Sequence, residues 1–467
     1  MSASKTSPDT SPDTSPERVT VVGAGLAGSL LSILLAQKGY IVDVYERRSD
    51  MRKDDGGGGR SINLALSKRG VSALEVAGVS RDVLEFALPM RARMIHDLDG
   101  QTNRQPYHPN PQKYINSISR SGLNIVLLNA AEKYPNVHLQ FGHKCKGMDL
   151  KSGTLFLENE SNGHTIEVNN GPVFATDGAG SPLRDSLVAQ VPGATESVDY
   201  LEYGYKELTL EALPDGNFAF APEVLHIWPR GHFMLIALPN PDFTFTCTLF
   251  LPYEGEQSFA KLTNQASIEA FFQEFFGDLL PHKPDLVEEF LANPTGKLGT
   301  VRCKPWHYED KLVLLGDAAH AVVPFYGQGM NASFEDCVVM NELMRDDNTA
   351  WAERFAKFSE QRIENANAIA DLALYNFIEM RDYTADPVFA LKRKAEVLLE
   401  EKFPEDFASK YSMVSFTNLP YRYAQLRGDL QDRILMEICG QISDLGTFDA
   451  ATTLARIERE SEGLAVH

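Results

Sequence analysis

The apolar and polar positions of the first fifty residues fall into a strand–turn–helix–strand order. Residues 19–22 read VTVV, a short apolar run of the kind buried in a parallel sheet. Gly23-Ala24-Gly25-Leu26-Ala27-Gly28 breaks the run, a helical stretch follows, and residues 41–45 form a second strand ending on Glu46. No charge falls between residues 19 and 37, a length approaching a membrane span, but three glycines, two serines and a glutamine interrupt it. The stretch is therefore read as a buried strand and a helix packed on both sides.

Further along, residues 59–70 (GRSINLALSKRG) run into a helix through 84, and a helix is predicted over 122–133 after Ser119-Arg120-Ser121. Residues 137–141, 154–157 and 172–176 read as strands, the last ending in Asp177-Gly178. Between 203 and 253 the rhythm changes. FTFTCTLF at 243–250 alternates apolar and Thr positions, the period of a half-buried antiparallel strand. Turn signals at Arg230-Gly231 and Asn240-Pro241-Asp242 separate neighbouring strands, so a separate antiparallel sheet is expected here, inserted into the framework. Residues 312–315 return to a buried parallel strand, and the chain beyond 330 is mostly helical.

Composition changes this picture only at the margins. The 467 residues are enough for two or three domains with a large core. A net charge of −20 argues against nucleic acid held on a broad basic face. The five cysteines, at 145, 247, 303, 337 and 439, show neither metal-ligand nor redox spacing, which predicts no metal and a reducing, cytoplasmic setting. Cys247 and Cys303 are read as buried sheet residues. The first sixteen residues lack the apolar core of a signal peptide, and their SPDT repeats predict a floppy tail over 1–17. The four glycines at 56–59 predict a mobile loop. The acidic, polar C-terminus offers no lipid or membrane anchor.

The first motif has the chemistry of a dinucleotide site. Gly23 permits the turn, Gly25 lets a pyrophosphate approach the backbone, and Gly28 lets the helix pack against the sheet. The helix N-terminus presents N–H groups and a partial positive charge, and Glu46 can hold ribose hydroxyls. A second motif, KLVLLGDAAHAVVPFYGQGMNASFED at 311–336, carries Gly316-Asp317 in a turn where the carboxylate can meet a ribityl hydroxyl. Gly327 and Gly329 allow the chain to wrap a flat ring, and a helix starting near residues 330–331 points its dipole at the ring edge that becomes anionic on reduction. His320 is read as a structural residue of this loop.

Together, GAGLAG, the Asp-Gly pair at 177–178 and GDAAH…P…GQGMN resemble the FAD-dependent aromatic hydroxylases. GRSINLALSKRG, YGYKEL at 203–208, HIWPRGHFMLIALPN at 226–240 and FTCTLF narrow the resemblance to the branch acting on L-kynurenine, over residues 18–423. It implies an α/β fold: a Rossmann-like FAD-binding domain (18–90, 115–190 and 301–345), an inserted antiparallel-sheet substrate domain (91–114 and 191–300), and a C-terminal helical region (346–467) covering the active site. It implies FAD held by Gly23, Gly25, Leu26, Ala27, Gly28, Glu46, Arg48, Arg60, Ala65, Arg120, Asp177, Gly316, Asp317, Gly329, Met330 and Asn331. NADPH serves as transient reductant and O2 as co-substrate, and a flavin hydroperoxide rather than any side chain performs the chemistry. For the substrate it implies Arg93 and Tyr107 at the amino-acid carboxylate, and Asn376, Met380 and Tyr411 closing the pocket. Leu225, Ile236, Leu238 and Phe250 form its lining, and Pro324 and Phe325 the flavin-side wall. A guanidinium suits a carboxylate through two parallel hydrogen bonds. The chain departs from the family at Thr176, where Ala is usual, and at Tyr326, a variable position. Without the C-terminal anchor of the eukaryotic relatives, it resembles a soluble, bacterial-type form. Rival readings are a same-fold hydroxylase or reductase for another aromatic or lipidic substrate, and a non-catalytic binding protein.

Overall fold

The computed structural model describes residues 16–53, 63–346, 348–379 and 386–464. Residues 1–15 of the expected tail, the four glycines, Arg60 and Met380 lie outside them.

Six strands form the nucleotide-side sheet, in the order His307–Tyr308, Leu312–Leu314, Val173–Ala175, Arg18–Val22, Ile41–Glu46, Val137–Phe141. All pairs are parallel except the outermost, His307–Tyr308 with Leu312–Leu314. The near-continuous apolar runs are explained by burial: Val19, Val21, Phe174 and Leu312 to Leu314 are fully enclosed between layers. Val22 pairs with both Ala175 and Tyr45, so three strands end level where the glycine turn begins.

A seven-stranded sheet packs beside it, in the order Gly296–Lys304, Thr195–Leu210, Phe245–Pro252, Met234–Pro239, Val224–Pro229, Ala92–His96, Thr102–Pro106. It is antiparallel apart from one pair, Ala92–His96 alongside Val224–Pro229, which runs parallel. The strands between 203 and 253 pair antiparallel as expected; the parallel pair joins them to a strand from an earlier part of the chain. Those two strands are not hairpin neighbours; more than a hundred residues of chain separate them, so no tight turn dictates their direction. On one face of this sheet Trp228, Phe245, Phe272, Phe276 and Phe290 form an aromatic core under the helices Gln265–Phe275 and Leu286–Ala292. Two three-stranded sheets complete the β-structure: His143–Asp149, Thr154–Asn159 and Thr165–Val168; and Asn63–Leu66, Ile115–Ser119 and Leu88–Met90.

The segment expected to run into one helix through 84 is a strand, Asn63–Leu66, and two helices, Lys68–Ala77 and Ser80–Leu84. Gly78 adopts φ +76° and ends the first of them, a conformation that other residues avoid. The helix predicted from 122 begins at Arg120, and Ser119 Oγ caps it by accepting from Gly122 N at 3.2 Å. The C-terminal part is helical: Trp351–Ile378, Pro387–Lys402, Lys410–Phe416, Tyr421–Cys439 and Ala450–Ser461. Among the described residues no helix is long and apolar enough to cross a membrane.

Candidate functional site

One cavity of about 760 Å³ runs from the glycine turn, between the two large sheets, to the C-terminal helices. At the turn, Gly23 has φ +97°, and a Cβ there would stand 2.5 Å from the Thr176 carbonyl oxygen. A Cβ on Gly28 would lie 1.9 Å from Gly23 O. A Cβ on Gly25 would meet nothing within 4 Å, because that backbone faces the open cavity. No side chain caps the helix Leu26–Gln37 that starts here, which leaves its first N–H groups for a ligand. Thr176, the departure noted above, donates its hydroxyl to Val22 O and Gly23 O, both at 2.9 Å, and so ties the turn to the neighbouring strand.

Glu46 lies beside this turn and lines the cavity. Its carboxylate accepts from Ala24 N at 2.9 Å, and from Arg48 N at 3.0 Å and Nε at 2.8 Å. Burial pushes its pKa up, but the bonds from Arg48 and Ala24 outweigh burial and hold it below the ordinary value. Asp177 is the reverse case. Burial dominates, its pKa is pushed up to about 6, and its Oδ1 makes no hydrogen bond to a described residue. A raised carboxyl pKa means that the fold prefers the neutral acid, so its contribution is full below pH ~4 and is lost as pH rises through 6. FAD-free Asp177→Asn should therefore be more stable than the parent at pH 8 by about 2–3 kcal/mol, with little difference near pH 4. Thermal melts at the two pH values check this.

At the middle of the cavity Asp317 opens a short helix and Gly327, at φ +67°, turns the chain against Ala65, whose Cβ would be 2.9 Å from a Cβ at Gly327. The helix Gly329–Leu343 follows, with Gly329 and Met330 on the cavity wall. Asn331 is fully buried and does not line the cavity. Its amide donates to Ala65 O at 2.8 Å and Gly327 O at 2.9 Å and accepts from Ser67 N at 3.0 Å, clamping the two loops that flank the cavity. Gly28 and Gly316 likewise stand behind the wall.

Behind Gly316 lies a buried charge network. Asp336 accepts from Gly316 N at 2.9 Å, His320 Nε2 at 2.5 Å and Arg362 Nε at 2.7 Å. His320 stacks on Trp306 at 5.0 Å, which agrees with a structural role. Burial alone would raise the Asp336 pKa; His320 and Arg362 outweigh it and bring it to about 2. Its stabilisation is present above pH ~4 and is lost as pH falls through 2. Arg362→Ala removes one of the two cationic partners of that buried carboxylate and leaves only His320, and should cost about 3 kcal/mol at pH 7 in chemical denaturation, less below pH 3.

At the far end Arg93, on the strand Ala92–His96, stands over the rings of Tyr107 at 5.4 Å and Tyr411 at 4.8 Å. The two rings stack at 5.5 Å and 6°. Arg93 forms no ion pair among the described residues, and the buried Tyr107 hydroxyl makes no hydrogen bond of ordinary geometry to one. Burial works against the guanidinium charge, but the neighbouring tyrosines Tyr411 and Tyr107 reverse the effect and the net shift is upward. Leu225, Ile236, Leu238 and Phe250 line the cavity, as do Pro324 and Phe325, and the Phe250 and Phe325 rings touch with centroids 5.0 Å apart. Asn376 lines it too and donates to Phe325 O at 2.7 Å.

Of the other expected residues, Leu26, Ala27, Arg48 and Arg120 also line the cavity. Sequence reasoning missed Ile227, Met234 and Thr248 on its wall. They sit two residues from Leu225, Ile236 and Phe250, so the two-residue strand period was the signal that could have found them.

The residues fit a flavin dinucleotide: a glycine cradle open to the cavity, an uncapped helix N-terminus, an orphaned Asp177 oxygen and a cavity long enough to continue past Asp317. Fold and site together define a flavoprotein of the aromatic hydroxylase type. Residues 17–373 match the family described as FAD binding domain. The chain is 47% identical over 422 residues to kynurenine 3-monooxygenase of Myxococcus xanthus, covering 90% of each chain. It is 43% identical to the Dictyostelium discoideum enzyme of the same name, over 90% of this chain and 92% of that one. Among solved structures, 2-methyl-3-hydroxypyridine-5-carboxylic acid oxygenase shares the fold with a TM-score of 0.63 at 18% identity, covering 80% of this chain and 94% of the other. PqsL of Pseudomonas aeruginosa does so at 0.63 and 19%, covering 79% and 97%. The chain belongs to the kynurenine 3-monooxygenase family of FAD-dependent monooxygenases.

Proposed function

We propose that the protein hydroxylates L-kynurenine to 3-hydroxykynurenine, with FAD as cofactor, NADPH as reductant and O2 as co-substrate. The observation that carries this reading is Arg93, a guanidinium that forms no ion pair among the described residues, in a cavity whose other end fits a dinucleotide. Such a group suits the carboxylate of an aromatic amino acid.

When bound, FAD accepts hydride from the nicotinamide and activates oxygen for transfer to an electron-rich ring. The chain's own residues would then hold and enclose the reactants. Gly23 to Ala27 with the helix N-terminus would hold the pyrophosphate, and Glu46 and Arg48 the adenosine end. Asp177 and Asp317 would meet the remaining polar groups, and Ala65, Arg120 and Met330 would flank the ring. Arg93, Tyr107, Asn376 and Tyr411 would anchor the amino-acid tail. Leu225, Ile236, Leu238, Phe250 and Phe325 would keep the ring in an apolar, water-poor space, which favours oxygen transfer over release of hydrogen peroxide. In this reading residues 18–90, 115–190 and 301–345 serve the cofactor, 91–114 and 191–300 the substrate, and 346–467 cover the site. The five cysteines are all free and buried, which supports a reducing, cytoplasmic setting.

The test mixes purified protein with FAD, NADPH, oxygen and L-kynurenine and measures product mass. A product about 16 mass units heavier is expected, one oxygen atom having been inserted. Flavin-loaded protein that consumes NADPH without that product would refute the substrate assignment.

A further inference from the structure

Tyr107 and Tyr411 stack against one another although some three hundred residues separate them in the chain. Both line the cavity where Arg93 stands. We propose that Glu400, a residue outside the cavity, is the positioning residue that holds these two tyrosines in register. The proposal rests on the functional reading above and deepens it.

Glu400 lies in the last turn of Pro387–Lys402 with its side chain 3% exposed. Its Oε1 accepts from the Ser409 backbone N at 3.0 Å. Ser409 is the N-cap of Lys410–Phe416, with its Oγ accepting from Ser412 N at 3.2 Å, and Tyr411 is the second residue of that helix. One oxygen of Glu400 therefore fixes the first turn of the helix that carries Tyr411. The other oxygen, Oε2, faces His108 Nε2 at 3.7 Å. His108 follows Tyr107 directly and is buried. Its Nδ1 accepts from Asn110 N at 2.9 Å, which places the proton of the neutral ring on Nε2, toward Glu400. Lys113 Nζ lies 3.3 Å from the same Nε2, a positive charge against the ring. Phe416 closes the contact, edge-on to His108 at 6.0 Å and to Tyr411 at 5.9 Å. One buried carboxylate thus bridges the two chain segments whose tyrosines flank Arg93, and it does not line the cavity.

Two variants of the full-length, FAD-loaded protein test this. Glu400→Met fills nearly the same space and makes neither polar contact. Glu400→Gln keeps an oxygen for Ser409 N and loses the charge facing His108. Glu400→Met is expected to raise KM for L-kynurenine about tenfold or more, with kcat within about twofold and KM for NADPH unchanged. Glu400→Gln should fall between it and the parent. Amide hydrogen exchange over 108–113 and over 409–416 should rise together in Glu400→Met. A Glu400→Met protein with the parent's KM would overturn the proposal, since only packing would then be at stake. So would a parallel rise of both KM values with loss of FAD, or exchange that changes in only one of the two segments. A parent protein that hydroxylates no kynurenine would instead overturn the functional reading, and the exchange measurement would still decide whether Glu400 couples the segments.

Discussion

Arg93→Ala is expected to raise KM for L-kynurenine by roughly 30-fold to several thousand-fold, the equivalent of about 2–5 kcal/mol for a charged group that loses its partner. The reason is a deficit visible before any ligand arrives. Arg93 is a half-buried cation with aromatic faces beside it and no ion pair among the described residues; the nearby Glu379 carboxylate is itself paired with Arg393. The interaction it would make is present before and during the chemical step, so its loss belongs to KM far more than to kcat. Flavin content should not change, because the glycine cradle and Glu46 occupy the opposite end of the cavity. Thermal stability without substrate should be unchanged or higher, since a poorly hydrated, unpaired charge has been removed. Arg93→Lys should recover only part of the loss, because an ammonium cannot make two parallel bonds to a carboxylate. Steady-state kinetics with flavin absorbance measured on the same samples checks each point, and saturation like the parent's would place the carboxylate elsewhere.

The second large effect separates two glycines of one motif. Gly28→Ala places a methyl group 1.9 Å from Gly23 O and 2.5 Å from Thr176 Oγ1, and the nearer atom is backbone that cannot rotate away. The helix must leave the sheet, at a cost of about 3 kcal/mol or more, and soluble yield and melting temperature should both fall. Gly25→Val meets nothing within 4 Å, and Gly25 has φ −72° and ψ −169°, extended backbone open to any residue. Its FAD-free melting temperature should match the parent's, while FAD affinity falls by about a hundredfold or more because the side chain enters the pyrophosphate's space. Equal loss of stability in both variants would mean that Gly25 serves packing and not the cofactor.

That contrast also explains what the sequence made legible. The glycine turn, the apolar strands beside it and the Gly316-Asp317 turn are set by constraints that act within a few residues, so pattern alone exposed them. The parallel pair of Ala92–His96 with Val224–Pro229 was not legible. Its outer neighbour Thr102–Pro106 is exposed at every position and carries no apolar period. Of the sheet His143–Asp149, Thr154–Asn159 and Thr165–Val168, the first carries no apolar rhythm and the last, TIEV, is only four residues long. The Asn331 side chain clamps Ala65 and Gly327, a tie the sequence did not show because its partner strand lies more than two hundred residues earlier. Arg93 and Tyr107 were named through resemblance, and nothing in their local pattern sets them apart from surface residues.

The strand order of the nucleotide-side sheet has a consequence for the chain during its synthesis. Arg18–Val22 emerges first, yet one of its hydrogen-bonding neighbours is Val173–Ala175, and the strand beyond that is Leu312–Leu314. At about 5–20 residues per second, some 15–60 s pass on the ribosome between the first of these segments and the last. Throughout that interval the nascent polypeptide holds an apolar, unpaired β edge. A truncated product ending before residue 312 should be captured by chaperones or aggregate, with no flavin bound, although it contains the whole glycine motif.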